Sequence, residues 1–363
     1  GSAGGGQVRV GGGWLGQDTD IANALEVQVD AGARTDSSAT AQGNAGTVVF
    51  WSDDAMRFAG HIQATGGQQG GNGGMVEVSG KERLAFSGSA DTSAPQGQGG
   101  LLLLDPTNLT ITNGAAGAAG TTGTRAAWAS TTDTASYTIA EHTLEALTGN
   151  VVLRATGTLT INHLNDGVLN LTGAGTSLEV FAANMTNLGA LEIRTSGNQI
   201  YHTPLTLGAN LTLNSASGGI SLRGTVNGPH HLQFTLGSTG RAVINHAIGG
   251  TTALASLGTN NLGQTFINAN VTTTGAQNYR NSVLFGTQGV AQFVNGGFET
   301  GNLNGWDVFN SRAILGSTVI GGFTSPMDTV HPSQHNLNAT TSGTYTTTAS
   351  NATADRNEGN WGV

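Results

Sequence analysis

The chain has no cysteine, one lysine (Lys81) and few charges of either sign: Asp, Glu, Lys and Arg make up 10 % of its 363 residues. Without cysteine there is neither a disulfide scaffold nor a thiolate metal site. Such a chain also suits passage, unfolded, through an oxidising space where disulfides would lock it early. The thirteen basic residues are scattered singly and the formal charge is −9, which excludes the clustered Lys/Arg face that nucleic acid requires. No apolar run approaches the roughly 18 residues of a membrane helix. The start, Gly1 to Gly6, has neither the basic nor the apolar part of a signal peptide and reads as an internal piece of a longer chain.

Glycine is abundant instead, 58 residues, over twice the usual share of roughly 7 %. Apolar residues come in short alternating bursts. Val48-Val49-Phe50, Val76-Glu77-Val78, Leu84-Ala85-Phe86, Leu101 to Leu104 and Leu109-Thr110-Ile111 are examples. Each is too short for a helix, and alternation puts the outer two side chains on one face. Gly, Asn, Asp, Ser and Gln fill the gaps as turn residues.

The same pattern opens the chain at Val8-Arg9-Val10 and Leu25 to Val29. It returns from Val151-Val152-Leu153 through Leu159-Thr160-Ile161, Leu178-Glu179-Val180, Leu205-Thr206-Leu207 and Ile220-Ser221-Leu222 to Val283-Leu284-Phe285. An antiparallel sandwich would also space short strands closely. These strands are too many for one sandwich, and no Asn-Gly or Asp-Gly hairpin joins them.

The pattern therefore predicts an all-β right-handed parallel β-helix. Three strands and about 20 to 30 residues per rung, at about 4.8 Å per rung, give a rod on the order of 50 Å long. Aliphatic columns would fill it, and ladders of Thr and Asn would clothe it. Four segments follow: residues 1–112, the first part of the β-helix; 113–150, an excursion with a short helix near Ala140 to Leu147 packed on the flank; 151–290, the second part; and 291–363, a partial β-sandwich of jelly-roll type.

Sites are weighed against plainer roles. Asp18, Asp20 and Asn23 lack the Gly and distal Glu of an EF-hand loop and read as turn chemistry. Gly66 to Gly74 lacks the Gly-Lys-Ser/Thr ending of a phosphate loop and reads as a corner needing positive φ. His230 and His231 would face opposite sides of a strand. His331 and His335 are four apart, but Pro332 breaks any helix between them. No Gly-x-Ser-x-Gly elbow is present. Glu179 and Glu192 sit about half a rung apart, so they would not stack as a catalytic pair. Trp51 and Trp128 read as core or corner residues, whereas Trp14, Trp306 and Trp361 could stack on sugars. No residue is assigned a catalytic, cofactor-binding or metal-ligating role.

The block from Gly46 to Ile111, with RVGGGWLGQDTDIANA before it and GTVNGPHHL, AIGGTTALASLGTN and VTTTGAQNYRNSVLFG after it, resembles the repeat region of filamentous haemagglutinin-like exoproteins. The resemblance covers about residues 7–290. It implies a right-handed β-helix exported by two-partner secretion through an outer-membrane partner of a Gram-negative bacterium. It also implies a non-catalytic extracellular or cell-surface adhesin whose partner is a glycan or host receptor, and no nucleic acid. Two alternatives stand beside it: a self-associating filament subunit stacked head to tail, and a polysaccharide-degrading β-helix enzyme. Separately, VNGGFETGNLNGWDVFN resembles the opening strand of a galactose-binding-like domain, in which Glu299 would help hold a structural calcium.

Overall fold

A computed structural model describes residues 1–114, 138–173 and 175–286, together with the backbone of Phe293–Val294. Parallel strands wind into a β-helix of eleven rungs, one for each strand of the longest sheet. Those strands begin the rungs at Gln7–Val10, Thr47–Ser52, Met75–Gly80, Leu101–Leu104, Asn150–Arg154, Leu178–Phe181, Gln199–Tyr201, Ile220–Leu222, Arg241–Ile244, Gln264–Ile267 and Ser282–Phe285. Every strand pair among the described residues is parallel, from Val8 on Val48 to Phe266 on Leu284.

The alternating bursts do what their period requires. Val48, Val76, Leu102, Val151 and Leu178 form one inward column, register upon register, and all are buried. Burying each such side chain contributes about 1.5–3 kcal/mol. Phe50, Val78, Leu104, Leu153 and Val180 form the next column. Higher up, polar residues enter the core in fixed pairs. Gln199 donates to the carbonyls of Ile193 and Asn214 at 3.0 and 2.7 Å and accepts from Tyr201 Oη at 2.9 Å. Gln277 and Tyr279 repeat this pairing at 3.1 Å on another sheet. Each Gln-x-Tyr pair satisfies its own polar atoms, which is what burial demands.

The polar ladders run mostly from side chain to backbone. Asn72 N donates to Asn44 Oδ1 at 2.8 Å, and Gln98 N to Asn72 Oδ1 at 3.0 Å. These bonds link positions 28 and 26 residues apart. In the upper part, Asn198 N donates to Ser177 Oγ and Gly219 N to Asn198 Oδ1, each across 21 residues. Corners leave backbone N–H groups off the sheet ladders, and Asn or Ser on the rung below captures them. The glycine-rich corner at 66–74 has the positive φ expected of it: Gly70 and Gly71 lie at +140° and +125°. A Cβ on Gly71 would stand 1.9 Å from the Gly43 carbonyl oxygen.

Rung 4 joins two different cross-sections. The short sheets of Glu26–Val29, Ala55–Phe58, Arg83–Phe86 and of Arg34–Asp36, His61–Gln63, Ser89–Asp91 end below it. Beneath Leu109–Thr112 lies Ile139–Ala140, the returning end of the excursion. It leads into the helix Glu141–Glu145. This helix is built into the wall and not laid on the flank: Ile139, Leu144 and Leu147 join the core. Its carboxylates face the exposed lower edge of a new sheet. Glu141 accepts from Asn165 N, and Glu145 Oε1 accepts from Asn170 N at 2.9 Å. Sheet edges invite unwanted pairing, and here a helix carries the acceptors that close one.

At the other end, Phe293–Val294 pairs in parallel with Val271–Thr272. Rung pairing thus continues beyond the boundary expected at residue 290. The rest of the 291–363 segment, with Glu299, Trp306, His331, His335 and Trp361, lies outside the described residues, as does Trp128.

Candidate functional site: the covered face of the long sheet

The outward column of the longest sheet reads Arg9, Val49, Glu77, Leu103, Val152, Glu179, Ile200, Ser221, Val243, Phe266, Leu284. Alternation should leave all of these at the surface. Yet Val49, Glu77 and Leu103 are buried. A loop after the first strand, carrying the short 3-10 turn Trp14–Gly16, folds back over the sheet there.

Several bonds hold that loop down. Leu15 N donates to Glu77 Oε2 at 2.8 Å, across 62 residues. Trp51 Nε1 donates to Asp53 Oδ1 at 3.1 Å. Asn23 Nδ2 donates both to that oxygen and to the Gly16 carbonyl, at 3.0 and 3.1 Å. Gly16 lies flat on the Trp51 ring: a Cβ would stand 2.4 Å from Cε2. Leu15 has φ +58°, the one positive value at a non-glycine residue among those described. Such strain, on the order of 1 kcal/mol or more, persists only where surroundings enforce it.

Glu77 is fully buried, and burial pushes its carboxyl up to about 7 despite the bond from Leu15. Asp105 adds repulsion, and Arg154 partly offsets it. Ser79, two residues along the same face, favours the ionised form, although its hydroxyl makes no fully formed hydrogen bond. Glu77 Oε1 is likewise unpartnered, whereas Oε2 accepts from Leu15 N. Burial also raises Asp105, with Arg154 again pulling the other way.

Beside the loop opens a cavity of about 370 Å³. Gln17, Asn23 and Asp53 line it from the loop side, and Lys81, Asp105, Arg154 and Thr156 from the sheet side. Glu77 is not in the lining, so its carboxyl fastens the loop and does not reach the cavity contents. Arg154 Nε lies 3.7 Å from Asp105 Oδ2, too long for a hydrogen bond. The Lys81 ammonium has no hydrogen bond or ion pair among the described residues.

The residues weighed from the sequence go elsewhere. Asp18 accepts from Arg9 at 2.7 Å and from Asp20 N at 3.1 Å, which is turn chemistry. Glu179 lies 2.7 Å from His202 Nε2, and the His202 ring stacks on Phe181 at 4.1 Å. Glu192 is held by Arg194 and Asn214 on a different sheet. The structure therefore keeps Glu179 and Glu192 apart. His231 lies 2.6 Å from Ser256 on the rung above. Among the described residues, no three His, Asp or Glu gather as metal ligands. Trp51 is buried, as its neighbours suggested, and Trp14 is half-buried in the covering loop.

Sequence reasoning missed Glu77, Asp105 and Arg154 as a group. The available signal was GGGWLG, too glycine-rich and aromatic for a bare corner, but nothing local says which strands it covers. No family model matches the chain, and no curated protein matches it.

Proposed function

We propose that the chain is a non-catalytic section of a secreted bacterial surface adhesin of the filamentous haemagglutinin type. Its work is to project and to bind. One observation supports this reading most: a single in-register parallel sheet runs from Val8 to Phe285, making one continuous rod. Solenoids of this kind grow in one dimension and present long binding surfaces. The neutral ladders at the corners suit an exterior that need not be charged.

The test is adhesion of beads coated with the intact chain to host-type cells. Retention above beads coated with an unrelated β-rich protein supports the reading, and equal retention ends it.

A second reading is a head-to-tail filament subunit, since a β-helix stacked on a copy of itself continues the same rung-on-rung pairing. Negative-stain microscopy decides between the two: separate rods of about 50 Å favour the adhesin section, and continuous fibres with a fixed axial repeat favour the filament.

A further inference from the structure

We infer that the cavity beside the covering loop is a binding site for an acidic sugar, a uronate-type ring carrying one carboxylate. The inference takes its biological purpose from the adhesin reading, but its chemistry stands on the cavity. At about 370 Å³ the space falls within the roughly 300–1,000 Å³ of small-molecule sites.

Two cations line it with donors to spare. The Lys81 ammonium has no partner among the described residues, and the Arg154 guanidinium makes only the long contact to Asp105. An incoming carboxylate gives both a charge-assisted partner, and the planar guanidinium can hold it with two bonds. Asp105 sits on the same floor, almost wholly buried. Its carboxyl repels a compact polyanion such as sulfate or phosphate, and it accepts from a hydroxyl placed next to a single negative group. Gln17 and Thr156 supply further hydroxyl partners at the rim. A ring with one carboxylate and several neighbouring hydroxyls matches that order of donors and acceptors.

The site is also built in advance. Glu77 fastens Leu15, and the Trp51–Asp53–Asn23 bonds fasten Gly16. A ligand therefore does not bear the full ordering of the loop, which favours affinity.

The test is calorimetric titration of the intact chain with D-glucuronate, methyl glucoside, glycine and sodium sulfate, on the parent and on Lys81→Gln and Arg154→Gln. Saturable binding of glucuronate alone is expected. Each substitution should weaken it at least about tenfold, the loss of one charge-assisted hydrogen bond. Lys81 lies exposed on a turn, so Lys81→Gln will fold and carries the test if Arg154→Gln does not; circular dichroism checks both. No saturable binding of glucuronate overturns the inference. So does equal binding of sulfate, glycine or the neutral glycoside, or glucuronate affinity unchanged by Lys81→Gln. A chain that binds glucuronate but does not retain beads on cells loses the adhesin role and keeps the pocket. A chain that retains beads without binding glucuronate loses only the pocket.

Discussion

Glu77 and Glu179 are the middle residues of nearly identical bursts, Val76-Glu77-Val78 and Leu178-Glu179-Val180, in one outward column of one sheet. Glu179 reaches the surface and meets His202. Glu77 is sealed beneath a loop from 62 residues earlier and holds its proton to about pH 7. Local pattern decides which way a side chain points. What waits on that side is decided elsewhere in the chain. The lower rungs pack around the Phe50, Phe58 and Phe86 rings and are covered outside. The upper rungs are filled mainly by Leu, Ile and Val, with Phe234 and the Gln-Tyr pairs among them, and are half-exposed on the same face.

The sharpest way to break the comparison is inside the lower rungs. Phe58 lies between Phe50 at 5.0 Å and Phe86 at 5.6 Å, edge-on to the first and stacked on the second. Phe58→Ala should cost about 3–5 kcal/mol, read as a lowered urea midpoint. A cost under about 1 kcal/mol would mean the lower core is not held by that stack.

The second contrast is in pH. The unfolded Glu77 carboxyl releases its proton near 4.5, whereas the folded one keeps it to about 7. Between those values the folded state binds more protons, so the contribution is whole below about 4.5 and is lost as pH rises through 7. The loss is on the order of 3 kcal/mol. Asp105, also raised by burial, acts in the same direction. Asp36 acts oppositely: the Ser38 N–H holds its carboxyl low, so its contribution is lost as pH falls below the ordinary carboxylate range. Glu77→Gln should remove most of the slope between pH 5 and 7 and raise stability at pH 8, measured by urea melts across pH. A slope left intact by Glu77→Gln would show that the loop does not bury Glu77.

A smaller effect is expected at Gly16, where φ is +65°. Gly16→Ala strains the backbone and presses a methyl into the Trp51 ring. It should destabilise by about 1–3 kcal/mol and red-shift tryptophan emission as the loop lifts. Smallest of all is the half-buried pair on the upper face: His202→Ala should cost about 0.5–1.5 kcal/mol and leave emission unchanged.

Much of this architecture could be read from spacing. Bursts such as Leu159-Thr160-Ile161 and Leu211-Thr212-Leu213 state their own strand and inner face, because period two needs no distant information. Strands such as Asn184–Asn187 and Ser89–Asp91 carry no apolar alternation; they are strands because the neighbouring rungs impose the ladder. Leu191 belongs to an apparent burst yet is exposed, since it sits in the turn before the strand that begins at Glu192. The helix Glu141–Glu145 was legible as a helix from its residues. Its place in the wall was not, because that depends on the unpaired edge at Asn165 and Asn170. The cavity was least legible: Asp53, Lys81, Asp105 and Arg154 come from four successive rungs and meet only when these are stacked.

The stacking itself is what everything else requires, and the absence of cysteine makes it directly measurable. Spin labels at Arg9→Cys and Leu284→Cys mark the two ends of the outward column of eleven strands. Ten steps of about 4.8 Å place those backbones about 48 Å apart. A single narrow distance near that value, widened only by the label linkers, is the predicted result. A broad distribution, or a peak below about 30 Å, would mean that the rungs do not pile along one axis and would contradict the account.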